Sequence, residues 1–328
     1  MTSGDISTVP DRSVVVTAMR SASRAPSVHN TQPWRWVCDG PSLRLYRDDT
    51  RLLEVADPEG RQLVISCGAM VHHVRTAFAA SGWHTDILRM PDPARPDWLA
   101  VLEFRPWNDP PAGVRARAEA MGRRYTERLA MHRPDGWDDL VHRLRMLASP
   151  HDVEVDVLDD TVRSRLVTAS EHSAAVQRYD MQYQAELHWW TGHAHPTQGV
   201  PPQALVTANS AIARSFPPAG RASGPEPAAD EARLIVLSTD GDTTEQWLRA
   251  GEALSAVLLE CTTAGQATCA LTHLTELSAA RRLLAGLIRH PLDPQVVVRI
   301  GTSDNYRLYP KTPRRPVTEF LTFAPSAD

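Results

Sequence analysis

Residues 23–34 read Ser-Arg-Ala-Pro-Ser-Val-His-Asn-Thr-Gln-Pro-Trp. Chain breakers, small hydroxyls, two carboxamides and a flat aromatic share one short stretch. Such a loop can lay backbone polar groups and an apolar surface along a planar heterocycle. Arg24, Pro26, Ser27, His29, Asn30 and Gln32 are its candidate contacts, with His29 read as a structural hydrogen-bonding group rather than a proton carrier. About a hundred residues later comes Arg124-Tyr125-Thr126-Glu127-Arg128. On a helical turn, arginines four apart share a face. Guanidinium forks pair bidentately with phosphate oxygens, and Thr126 adds a hydroxyl. The plainer alternative is a solvated helix face pairing with Glu127 or Glu119.

Two further stretches fit the same ligand. In 311–317, Arg314 and Arg315 lie between Pro313 and Pro316, which would limit the backbone entropy lost on binding. Which of the two points inward is open, and the segment could equally be a polar tail packed on the surface. In 264–269, small residues around Gln266, Ala267 and Thr268 allow close approach of backbone to a ring, although a simple helix cap explains them too. His188, His193, His195 and the His72-His73 pair invite a zinc site. Adjacent helix positions diverge, and neither cysteine nor carboxylate stands at ligand spacing, so no metal is expected. The chain lacks GxSxG, GxxxxGK[ST] and GxGxxG, so serine hydrolases, P-loop NTPases and Rossmann dehydrogenases lose their usual support.

Composition narrows the class. The 328 residues suffice for one large or two ordinary domains, and 42% apolar content supports a sizeable core. A net charge of −4 and scattered basic residues argue against a nucleic-acid protein. No run approaches the ~18 apolar residues of a membrane span, and the polar N-terminus has no signal core. Cys38, Cys67, Cys261 and Cys269 are far apart and read as buried thiols of a reducing, cytoplasmic location.

The elements that must hold these groups follow from periodicity. Val14, Val15, Ala18, Met19 and Ala22 predict a helix over 11–24, stopped by Pro26. Strands at 35–37 and 43–46 form a hairpin across Asp39-Gly40. Asp57-Pro58 opens a helix near 58–81 that is apolar around most of its girth and therefore central. Strands at 84–89 and 98–104 precede a proline-rich break at 106–111. Helices follow at 112–132 and 136–148, a strand at 153–158, and a long helix at about 160–188 ending in Trp189-Trp190. Residues 191–230 are rich in proline and small residues, and form either a lid-like excursion or a mobile segment. Thr243 and Gln246 make a capping-box pattern for a second apolar helix. A strand, helix and strand follow, the last at 295–300, and then an extended tail. The halves 1–108 and 109–328 each run helix, loop, strand, long apolar helix, strand. Residues 148–152, Ala-Ser-Pro-His-Asp, faintly echo 25–29.

The loop wording APSxxNxQPW, with the arginine arm and basic tail, resembles the nitroreductase family of FMN proteins, and RAPSVHNTQPW looks most like its actinobacterial Acg-type branch. The resemblance covers the chain apart from 1–10 and 191–230. It implies an α+β fold, with a mixed, mostly antiparallel sheet flanked by helices. In that family the flavin lies at a homodimer interface. Here the loop belongs to the first half, and the arm and tail to the second. The resemblance therefore implies a single-chain pseudo-dimer of two degenerate repeats, with one intact flavin site and one decayed one. Arg124, Thr126, Arg128, Arg314 and Arg315 would take the phosphate side, with Arg128 suited to the pyrimidine edge. Gln266, Ala267 and Thr268 match the turn facing flavin N5, although Gln266 stands where an apolar residue is common.

The expected function is FMN-dependent, NAD(P)H-driven reduction of a nitro, quinone or similar small-molecule acceptor, with no catalytic side chain beyond the flavin. The alternative is a protein that sequesters FMN beneath a lid built around Trp189 and Trp190, with little turnover. A flavin-free remnant with an interaction role is a third option. Those tryptophans could equally be ordinary core. Monomer and homodimer are both open.

Overall fold

The computed structural model describes residues 9–191, 197–201, 230–303 and 311–325. Helix α1 (Arg12–Ala22) leads through the 23–34 loop into the hairpin of β1 (Trp34–Cys38) and β2 (Ser42–Arg47). Helix α2 (Arg61–Ala80) is followed by β3 (Trp83–Arg89), β4 (Trp98–Pro106) and α3 (Ala112–Ala120). The second half supplies α4 (Trp137–Ala148), β5 (Val153–Leu158), α5 (Arg163–Arg178), α6 (Met181–Trp190), β6 (Arg233–Thr239) and α7 (Thr244–Thr263). It ends with β7 (Ala267–Leu271), α8 (Ser278–Ala285), β8 (Asp293–Gly301), α9 (Val317–Phe320) and β9 (Leu321–Phe323).

The fold is α+β with two sheets. One has the order β3-β4-β2-β1-β9 and is antiparallel except for the β1/β9 pair. The other, β5-β6-β8-β7, is antiparallel throughout. Strand β9 comes from the C-terminal tail, so the last residues close the sheet built by the first ones. That pairing carries the 311–317 segment back to the 23–34 loop. Each sheet has its own apolar core. Trp34, Trp36, Phe78 and Leu99 anchor one, while Ile235, Leu237, Val257 and Val296 anchor the other.

Helices α2 and α7 pack between the sheets and are both 20 residues long. They cross at Gly68 and Gly251, which occupy the same position along their respective helices. A Cβ on Gly68 would collide with the Leu248 carbonyl, and one on Gly251 with the Ile65 carbonyl. Only glycine allows the two backbones this approach. By length and composition α2 is apolar enough to cross a membrane, but it is buried between the two cores.

Most boundaries follow the periodicity, and three depart from it. The start of α2 slides to Arg61 because Asp57 caps from outside. Its carboxylate accepts from the backbone N–H of Gln62 at 3.0 Å and of Leu63 at 2.8 Å. Burial lifts that carboxyl to about 6. The helix expected over 112–132 stops at Ala120, because residues beyond Gly122 pair with β7 instead. The long helix expected over 160–188 breaks at Asp180, whose side chain accepts from Gln182 and Tyr183 N–H and so starts α6 afresh. The Thr243–Gln246 capping box forms in full.

Candidate functional site

The 23–34 loop is strained. His29, Asn30 and Gln32 have φ of 45°, 56° and 52°, a left-handed region costly for residues with a side chain. Such strain is held only where the surroundings over-determine it. Here Val28 N–H donates to Ser66 Oγ at 3.1 Å and Gln32 N–H to Ser27 Oγ at 3.0 Å. Pro26, Ser27, His29 and Asn30 line a cavity bounded on the other side by α2, α7 and β7. Gln32 does not line it. Its carboxamide is used inside the loop: Nε2 donates to Thr197 O at 2.8 Å, and Oε1 accepts from Arg315 N–H at 2.9 Å.

Arg124 and Arg314 line the cavity, and Arg24, which does not, joins them in one guanidinium cluster. Arg124 and Arg314 both donate to the Arg24 carbonyl, at 3.4 Å and 3.3 Å. Arg314 also donates to Ser23 O at 2.8 Å, and Arg24 to Thr312 O at 3.4 Å. Among the described residues none of the three pairs with a carboxylate. Burial and then the charge of Arg24 lower Arg124 to about 10. Burial, then Arg24 and Arg124, push Arg314 well below its ordinary value. The Nε of Arg124 is buried with no hydrogen-bond partner. Like charges packed this closely oppose folding. An anion in their midst would relieve the repulsion and fill the vacant donor.

Arg315 stands apart. Its guanidinium donates to Gln32 O at 2.9 Å and Glu319 O at 2.9 Å, and lies 3.6 Å from the Asp48 carboxylate. Neighbouring residues of an extended chain point to opposite sides. Arg314 therefore faces the cavity, and Arg315 braces the loop from behind.

The arm 124–128 is extended, not a helical turn. Thr126 bridges to Thr268 in a parallel pair, and Glu127 N–H donates to Thr268 O at 2.9 Å. Tyr and Thr favour extended backbone, and β7 offers an open edge. Arg124, Thr126 and Arg128 still reach the cavity wall, and Tyr125 joins them there. Gln266, Ala267 and Thr268 do not line the cavity. They turn the chain from the end of α7 into β7, and the wall is made by the residues just beyond, Cys269 to His273. Trp189 and Trp190 are also absent from the wall. Tyr183 and Leu187 take the buried face of α6, which leaves Trp189 68% exposed.

The remaining wall was not anticipated. Gln62, Ile65, Ser66 and Ala69 form one face of α2, with Leu254 of α7 opposite and Thr272 and His273 beyond β7. Gln62 and Ser66 are polar residues one turn apart in the largely apolar first half of α2. That polar stripe was the available signal. Residues 197–200 pass beside the cavity, where Val200 lines it. The Asn30 side chain donates to Gly199 O at 2.9 Å and Pro313 O at 3.0 Å, and Arg51 donates to Gln198 Oε1 at 2.7 Å. Most of the 191–230 excursion, with His193 and His195, lies outside the described residues. Among those described, no group of three or more His, Cys, Asp or Glu side chains is placed to hold a metal.

The segment before β5 shares part of the local shape seen before β1. Residues 149–151 form a short 3-10 turn before β5, as 28–30 do before β1, but there the left-handed residue is Asp152 just after the turn, whereas in the first case His29 and Asn30 lie within it. Glu252 stands on α7 where Ala69 stands on α2, and it is fully buried. Arg89 grips its carboxylate at 2.7 and 2.9 Å, with His151 at 3.4 Å. Burial alone would raise this carboxyl, but the bonds from His151 and Arg89 hold it down to about 2.

The chain has named relatives. The chain is 40% identical over 312 residues to a Mycobacterium tuberculosis (strain H37Rv) protein named as the NAD(P)H nitroreductase acg, covering 93% of this chain and 94% of that protein. It is 34% identical over 322 residues to a second protein of that strain named as an NAD(P)H nitroreductase, Rv3131, covering 95% and 92%. The chain belongs to the nitroreductase family, and within it is Acg-like. Among solved structures, a Desulfitobacterium hafniense nitroreductase with bound FMN aligns at TM-score 0.41 and 12% identity, over 64% of this chain and 98% of that one. The FMN-dependent nitroreductase NfnB from Mycobacterium smegmatis, in complex with NADPH, aligns at 0.41 and 15%, over 63% and 99%. No protein-family model matches the chain.

Proposed function

We propose that this protein binds one FMN per chain and is an NAD(P)H-dependent oxidoreductase acting on a nitro, quinone or similar small acceptor. The observation that carries this reading is the cluster of buried Arg124 with half-buried Arg24 and Arg314, two of which line the cavity and none of which pairs with a carboxylate among the described residues. The residues present fit the cofactor: guanidinium groups for the phosphate, and the strained loop with backbone of β7 for a flat ring. Thr126 and Arg128 add to the polar wall. The bound flavin would supply the hydride chemistry. The chain's part is to hold the anionic end, present hydrogen-bond partners along the ring, and keep bulk water from most of the cavity. The division into halves at about residue 108, with one working site and one decayed one, belongs to the same reading, and family relatives named for NAD(P)H support the choice of reductant.

The test is an anaerobic titration of purified protein with FMN, followed by mixing with NADH or NADPH. Saturation at one equivalent and bleaching of the flavin band by a pyridine nucleotide are expected. Absence of flavin uptake would overturn the proposal.

A second reading, FMN sequestration, is favoured by one observation. The hydrogen bonds from Asn30, Gln32 and Arg51 draw residues 197–200 against the ring end of the loop. If that segment covers the ring face, dithionite will bleach the bound flavin quickly and NADPH only slowly.

A further inference from the structure

Gln62 lies in the first turn of α2, is 2% exposed, and forms part of the cavity wall. Its backbone is pinned by the bond from its N–H to Asp57. Its side-chain Nε2 donates to Glu276 Oε1 at 3.2 Å. A carboxylate only accepts, so the –NH₂ must face Glu276 and the carbonyl oxygen must turn the other way. Glu276 is itself held in place. Its second oxygen accepts from Gln177 Nε2 at 3.0 Å and from the Tyr183 hydroxyl at 3.4 Å. The Gln62 Oε1 atom that results is buried and has no hydrogen-bond partner among the described residues. Buried acceptors are seldom left unpaired in native proteins, because the lost hydration is not recovered.

The company of this oxygen on the cavity wall identifies what it awaits. Arg124 and Arg314 line the same cavity, with Ile65, Ser66 and Ala69 beside Gln62 on α2. A ligand that satisfies both groups is anionic at one point and carries a hydrogen-bond donor at another. The oxidised isoalloxazine ring has a single ring N–H, the imide at N3.

We propose that the Gln62 carboxamide oxygen accepts the hydrogen bond of the flavin imide N–H, and that Glu276 is the positioning residue that aims it. This inference rests on the FMN reading above and assigns it a ring-recognition element. It also ties ring recognition to α5 and α6, because Gln177 and Tyr183 share the same carboxylate.

The test compares FMN with N3-methyl-FMN, which retains the phosphate and ring but lacks that donor. Both are titrated by fluorescence into the wild-type protein, Gln62→Leu and Glu276→Gln, with circular dichroism to confirm folding. The wild type should prefer FMN about tenfold or more, the usual scale for a buried polar group denied its partner. Gln62→Leu should lose that preference while its affinity for N3-methyl-FMN stays within about twofold of wild type. Glu276→Gln, which frees the carboxamide to rotate, should shrink the preference at least threefold, and it decides the matter should Gln62→Leu fail to fold. Equal wild-type affinity for the two flavins, or a preference that survives both substitutions, overturns this inference alone. Failure of the wild type to take up either flavin overturns the FMN reading and this inference with it.

Discussion

The arginine cluster gives the clearest prediction at the residue scale. Arg124 and Arg314 repel each other and Arg24 in the absence of an anion, and burial has stripped their hydration. Replacing both with alanine should leave the apo protein folded and raise its melting temperature. The same variant should bind FMN about a hundredfold or more weakly, since two charge-assisted bonds contribute about 1.5–3 kcal/mol each. Opposite signs for apo stability and affinity distinguish a ligand site from a structural one. Differential scanning fluorimetry and a flavin titration read the two quantities, and a large loss of apo stability would contradict the assignment. Most of these residues were legible in the sequence because arginine, proline and hydroxyl types are uncommon in such company. The facing of Arg314 over Arg315 was not, since alternation along an extended tail fixes only that the two diverge. The bracing role of Gln32 was equally hidden, because it depends on Arg315 and residue 197, which are distant in the chain.

At the scale of elements, the α2–α7 crossing governs the molecule. Gly68→Ala would place a methyl group against the Leu248 carbonyl, and the backbones would have to part. A loss of about 1–3 kcal/mol in urea unfolding is expected, as for overpacked cores. The same interface holds His72 and His73, whose Nδ1 atoms each lie 2.7 Å from Ser255 Oγ. Burial keeps both rings neutral, far below their ordinary protonation range, with His151 adding to the effect on His72 and Arg124 on His73. In the unfolded chain these histidines take up protons near pH 6.5. Their contribution is fully present above that pH and is lost progressively as pH falls below it. Asp57 opposes this. Its folded carboxyl titrates at about 6, so the folded state gains a proton before the unfolded one does. Chemical denaturation between pH 7.5 and 5 should show net weakening, deeper in Asp57→Asn because the offset is gone. Periodicity announced both long helices but not their intimacy. Two glycines inside apolar runs look like weak spots until a partner helix occupies the space they leave. The break at Asp180 and the extended arm escaped notice for a related reason. Each is decided by a competing partner, a capping carboxylate in one case and the edge of β7 in the other.

For the whole molecule, the path of the chain past the cavity decides between reductase and store. Sheet closure by β9 brings the tail to the early loop, and residues 197–200 are bonded to that same loop. The loop is thus gripped from both sides, by Arg315 and by the segment that follows α6. Docking of α6 supports the second grip, since the Glu186 carboxylate accepts from Val55 and Ala56 N–H at 3.1 and 2.9 Å. Loosening that grip without touching the cavity wall separates access from chemistry. In Glu186→Ala with Gln198→Ala, two anchors of the segment are removed, and neither residue lines the cavity. Each lost hydrogen bond is worth about 0.5–1.5 kcal/mol, or more for the charged acceptor. A shift of about 1.4 kcal/mol raises the open population tenfold. If the segment covers the ring, stopped-flow reduction of bound flavin by NADPH should accelerate about tenfold in the double variant. Reduction by dithionite and the affinity for FMN should change little. Equal NADPH rates in the two proteins would mean that the nicotinamide already has free access, and the store reading would lose its structural basis.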